Sequence, residues 1–149
     1  MTIQTLAQGA RSALVLDLGT LAAGTYITTA AIDLGAGSST AIPLDTTLEV
    51  VANANGTPVG GKQIKIFAKL SLDNTNWGSG PETGTTYTEE ADLHLIDVLP
   101  MNDTNDHRKF FSTRGLPVTR YIKFVFINDL GVALTSGSVY RADITGIAT

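Results

Sequence analysis

Cysteine is absent from the 149 residues, which excludes a disulfide frame, a thiolate metal site and a cysteine nucleophile. Charge is sparse as well: Asp, Glu, Lys and Arg make up 16% of the chain, below the usual quarter. The net charge is -4 and no basic run interrupts the mild acidity. A phosphate backbone needs clustered Lys and Arg to displace its counterions, so nucleic acid is not an expected partner. No apolar run approaches the ~20 residues of a membrane-spanning helix, and no membrane association is expected. The first residues lack the basic start and unbroken apolar core of a signal peptide, so folding in the cytoplasm of the producing cell is expected. Helical periodicity is missing too, apart from a weak candidate at 88–93.

What the chain does contain is alternation, clearest in QIKIFAKLSLDNTNW, residues 63–77. Ile64, Ile66, Ala68, Leu70 and Leu72 occupy every second position, with Gln63, Lys65, Lys69 and Ser71 between them. Strand side chains point to alternate faces, so this spacing predicts one buried and one exposed face. Phe67 breaks the pattern as an aromatic on the lysine side. Asp73, Asn74, Thr75 and Asn76 then supply side chains that bond their own backbone in tight turns, and Trp77 follows.

Further strands are predicted at 13–18, 26–34, 47–54, 85–88, 93–99, 108–113, 120–128 and 138–147. Leu48, Val50 and Ala52 should face inward in the third of these, and Ile122, Phe124 and Phe126 in RYIKFVFIN. The other face of that strand, Tyr121, Lys123, Val125 and Ile127, is still mostly apolar. In the last strand Tyr140, Ala142 and Ile144 are expected inward, with Arg141 and Asp143 outward. Gly, Pro, Asn and Asp punctuate the strands, as in Asn55-Gly56, Gly60-Gly61 and Asp129-Leu130-Gly131. This pattern predicts an all-β, single-domain antiparallel β-sandwich of jelly-roll or Greek-key type over 13–149, after a flexible N-terminal arm at 1–12.

Candidate chemistry is thin. Asp103, Asp106 and His107 are metal-ligand types, but an Asn/Asp-rich turn uses the same residues and lacks the alternation of a calcium loop. Asp92 and His94 sit two apart without a nucleophile or an orienting third group. Glu82, Glu89 and Glu90 lie in a Thr/Gly stretch, where a solvated surface is the simpler reading than paired glycosidase carboxylates. No catalytic residue, metal or cofactor is therefore expected. Trp77 with Tyr87 is a candidate sugar-stacking platform, set against the packing role that a lone Trp usually has. Apolar strand faces that stay exposed mark protein contact. Phe67, Trp77, Tyr121, Lys123 and Val125 are accordingly the candidate interface, unless loops of the same chain cover that face.

The pieces KLSLDNTNW, FFSTRGLPVTRYIKFVF and INDLGVALTSGSV carry a family likeness. Ser71, Asp73, Asn74 and Trp77 form a Ser-x-Asp-(Asn/Gly)-x-x-Trp turn. Leu116, Pro117, Arg120, Tyr121, Ile122 and Lys123 form a Leu-Pro…Arg-Tyr-Ile-Lys strand, and Asn128, Asp129, Leu130 and Gly131 an Asn-Asp-x-Gly turn. Over 69–139 the chain resembles small β-sandwich virion proteins of tailed bacteriophages. The first turn also resembles the Asp-box of sialidase-like propellers, one residue shorter and present once. The phage resemblance implies a non-enzymatic capsid decoration (cement) protein at the head surface. Its implied partners are the major capsid protein and copies of itself, as a dimer or trimer. A tail- or fibre-associated module that binds carbohydrate is the alternative.

Overall fold

The computed structural model describes residues 4–35, 43–84 and 92–148. Within them the chain forms ten strands: β1 (Gln4–Gln8), β2 (Ser12–Ala13), β3 (Tyr26–Thr28), β4 (Ile32–Asp33), β5 (Asp45–Ala54), β6 (Gln63–Ser71), β7 (His94–Pro100), β8 (His107–Ser112), β9 (Tyr121–Asp129) and β10 (Leu134–Ala148). A 3-10 turn, Leu18–Thr20, interrupts them, with Asp17 Oδ1 accepting from the Gly19 N–H at 2.8 Å.

Two antiparallel sheets pack face to face, as the alternation requires. The first runs β1-β10-β5-β8, with β2 also on β10; the second runs β3-β9-β6-β7, with β4 also on β9. The chain crosses between sheets from β2 to β3, from β4 to β5, from β5 to β6, from β7 to β8, from β8 to β9 and from β9 to β10, so each sheet is built from both halves of the sequence. Between them lie Leu48, Val50 and Ala52 of β5, Ile64, Ile66 and Ala68 of β6, Ile122, Phe124 and Phe126 of β9, and Val139 of β10. Each large side chain buried there contributes about 1.5–3 kcal/mol. The expected inward faces of β5, β6 and β9 are the observed ones, including Leu70, which is half-buried against the same core. Leu72 lies past the strand end and is exposed.

One polar residue organises the end of β9. Asn128 is fully buried, and its Nδ2 donates to the carbonyls of Leu21 (2.9 Å) and Val132 (2.8 Å). Its Oδ1 accepts from the Leu130 N–H at 3.0 Å. This ties the 3-10 segment to the β9–β10 turn, where Gly131 has φ +74° and backbone so close that an added Cβ would lie 2.8 Å from Gly60 N.

Four expectations change. Residues 4–8, read as part of a flexible arm, form an edge strand paired antiparallel with β10 from Gln4↔Ala148 to Gln8↔Ile144. An edge strand needs no apolar alternation, which explains why its composition resembled a loose terminus. The predicted strand at 13–18 shrinks to the two residues of β2 before the 3-10 turn, and that at 26–34 splits into β3 and β4. In β10 the faces are reversed: Val139 and Arg141 stand opposite Val50 and Leu48, on the core side, while Tyr140 and Ala142 stand opposite Glu49 and Thr47, on the outer side. The candidate strand at 85–88 lies outside the described residues, as do Tyr87, Glu89 and Glu90.

Candidate functional site: the outer sheet faces

The two outer faces of the sandwich differ. On the second sheet, Phe67 of β6, Val125 and Ile127 of β9, Tyr26 of β3 and Leu93 form a separate buried cluster. Residues 78–84, between β6 and β7, lie over its polar margin. The Tyr26 N–H donates to the Gly84 carbonyl at 2.8 Å, Lys69 Nζ to the Gly80 carbonyl at 2.8 Å, and the Thr28 hydroxyl to the Glu82 carbonyl. Glu82 reaches two lysines, with Oε1 3.0 Å from Lys69 Nζ and Oε2 3.0 Å from Lys123 Nζ. Burial pushes the Glu82 carboxyl up, but Lys123 and Lys69 together outweigh it and hold it below the ordinary glutamate value.

The expected interface lies on this face, and the structure covers much of it. Phe67 is 4% exposed and Val125 is fully buried. Lys123 is occupied by Glu82, and its Nζ also stands 4.4 Å from the centre of the Trp77 ring. Trp77 is half-buried and bridges back to Ser71. Tyr121 is half-buried with the Arg120 guanidinium 5.2 Å from its ring centre. The exposure expected of Phe67 and Val125 is thus corrected: their own chain seals them, and the mostly apolar second face of β9 is a second, smaller core.

The first sheet presents the opposite case. Glu49 on β5 stands between Tyr140 of β10 and Phe110 of β8 in one cross-strand row. Arg11 and Arg108 both bond its carboxylate, at Oε2 and Oε1, and the Arg11 guanidinium lies 3.2 Å from the Tyr140 ring centre. The arginine side chains are about half exposed (51% and 56%), whereas that of Glu49 is 7% exposed. Hydrogen bonding from Arg11 is the largest cause that holds the Glu49 carboxyl below its ordinary value, against the opposing effect of burial. Phe110 is 62% exposed, and Leu6, opposite Gly146 on the same side, is 71% exposed. Among the described residues, no loop crosses this sheet as 78–84 crosses the other. The result is a cationic and aromatic patch, net positive, on an acidic chain.

The remaining candidates stay scattered. His107 Nε2 and Asp103 Oδ1 meet at 3.0 Å, but Asp106 accepts from Asn53 instead. Among the described residues no three metal-ligating side chains come together. Asp73 accepts from the backbone of Asn76 and Thr75, which drives its carboxyl far below the usual range; this is the Asx turn that the sequence predicted. His94 is exposed on the edge strand β7. Sequence reasoning missed Arg11, Glu49, Arg108 and Phe110, because the patch joins three separate strands and a residue beside β2. The one local signal was Glu49 at a polar position within an otherwise buried strand. No protein-family model and no curated protein matches the chain.

Proposed function

We propose that this is a non-enzymatic structural protein of a bacteriophage virion, a capsid decoration protein that binds the head shell through the outer face of its first sheet. The observation that carries this reading is the asymmetry of the sandwich. One outer face is covered over Phe67, Val125 and Ile127 by residues of its own chain, with Leu95 left exposed at its β7 edge, and the other leaves Phe110 and Leu6 in solvent beside two half-exposed arginines. Aromatic and arginine side chains grouped on a rigid sheet are the composition of interface hot spots. The sequence likeness to small virion sandwiches supplies the setting, with the major capsid protein and further copies of the chain as partners.

A decoration protein works by contact area, and symmetry multiplies it. Linked copies on a shell gain avidity, so each interface needs only modest affinity. The carbohydrate reading rested on Trp77, whose half-buried ring already carries Lys123. The test is add-back to shells isolated without the protein, followed by sedimentation. Saturable co-sedimentation at a fixed ratio to capsid protein is expected, and reduced in Phe110→Ser. Protein left wholly in the supernatant would overturn the proposal.

A further inference from the structure

The reversed faces of β10 place a guanidinium where a core side chain is expected. Arg141 stands opposite Leu48 on the inner side of the first sheet, and its side chain is 23% exposed. Its Nη1 is buried without a hydrogen-bond partner. Its Nη2 is 3.7 Å from Asp143 Oδ2, beyond hydrogen-bond length. A guanidinium carries five N–H donors in a fixed fork, and leaving them unmatched in a dehydrated place is unfavourable.

Arg141 forms one wall of an open cleft of about 400 Å³ at the lateral edge of the sandwich, where β2 and β4 face each other across the two sheets. The rest of the lining is mostly small and apolar, including Ala13, Leu14, Ala30, Ala31 and Ile32. The nearby carboxylates are already engaged. Asp33 takes two bonds from Arg120, at 3.0 and 2.9 Å, and Asp143 accepts from the Thr46 hydroxyl at 2.8 Å.

We infer that this cleft is a binding site for a monocarboxylate with a short aliphatic tail, the carboxylate taken by Arg141 and the tail by the alanine and leucine lining. With Nη1 buried, the Nε–Nη2 edge of the planar fork is the one that matches two carboxylate oxygens in a bidentate contact. Asp33 and Asp143 beside it disfavour a doubly charged oxyanion such as phosphate. The cleft is lined by β2, the segment after it and 29–33, whereas the Glu49 patch is lined by Arg11, Phe110 and Tyr140; Arg141 borders both.

The test is NMR titration of the full chain, observing the Arg141 Nε–H and the amides of 12–15 and 29–33. Butyrate, butyramide and inorganic phosphate are the probes. Butyrate is expected to produce saturable shifts in the millimolar range at these positions, and butyramide, the uncharged isostere, none. Arg141→Lys should bind butyrate about tenfold more weakly, since a point charge replaces the fork, and Arg141→Met should not respond. Equal or larger shifts with phosphate would overturn the choice of a monocarboxylate. No saturable butyrate response in the wild type, or an undiminished one in Arg141→Lys, would overturn the site itself, so the outcome does not depend on the Met variant folding.

Discussion

Lys123 Nζ lies 3.0 Å from Glu82 Oε2 and 4.4 Å from the centre of the Trp77 ring, so one ammonium joins β9 to both ends of the segment that covers the second sheet. Lys69, which is 8% exposed, shares the same carboxylate. Replacing Glu82 with Gln leaves two lysines without their counter-charge over the Phe67 cluster. The exposed part of the glutamate screens the loss, so about 1 kcal/mol is expected, read as a lower urea midpoint with an unchanged slope. Trp77 emission should shift at the same time, and unchanged emission would contradict the role of Lys123 as the link.

Acid should loosen both outer faces. Glu49 and Glu82 have folded pKa values below the ordinary 4.5, so the unfolded chain binds protons more readily than the folded one. Their contribution is therefore complete above 4.5 and is lost as pH falls through the lowered folded values. Thermal melts should be nearly level from neutrality down to that range and then drop. Glu49→Gln should melt lower at neutral pH and show a shallower acid limb. An acid limb identical to that of the wild type would remove Glu49 from the account.

Asn128→Ala removes three hydrogen bonds at once and strands the Leu130 N–H and the partly buried Val132 carbonyl, while the Leu21 carbonyl keeps its bond from the Leu134 N–H at 3.1 Å. A loss of about 3 kcal/mol is expected from chemical denaturation, since unmatched buried groups forfeit their solvation. Asn128→Asp should be at least as damaging, because it replaces the double donor by an acceptor.

Deleting residues 1–8 now carries a structural consequence. It strips β1 from β10 and leaves a row of unpaired backbone groups at the sheet edge. A lower melting temperature and concentration-dependent self-association in sedimentation velocity are expected. A melt unchanged by the deletion would restore the reading of this segment as a loose arm.

Much of this architecture was legible because the central strands carry unmistakable alternation: Ile64-Ile66-Ala68 and Ile122-Phe124-Phe126 fall on the inner faces as their spacing requires. Phe67 was legible as an exception, but whether an apolar outer residue meets solvent or its own chain depends on where residues 78–84 pass, which no local pattern encodes. The phase of β10 was misread because Tyr140, Ala142 and Ile144 look like a core face. Pairing with β5 decides the matter, and Tyr140 gains its cover from Arg11 instead. The Glu49 patch was invisible for the related reason that a β-sheet assembles a surface from positions far apart in the chain, here Arg11, Glu49, Arg108 and Tyr140.

Phe110→Ser tests the bare face. The side chain is mostly in solvent, so the melt should move little, within the ±0.5 kcal/mol usual for surface positions. Shell binding should fall about tenfold if Phe110 is an anchor of the contact. A normal binding curve would shift the contact elsewhere.

The most direct measurement is immunogold electron microscopy of virus particles from the producing source, with an antibody raised to this chain. Gold distributed over the heads is the predicted result. Gold confined to tails, or particles without label, would contradict a head-shell decoration protein.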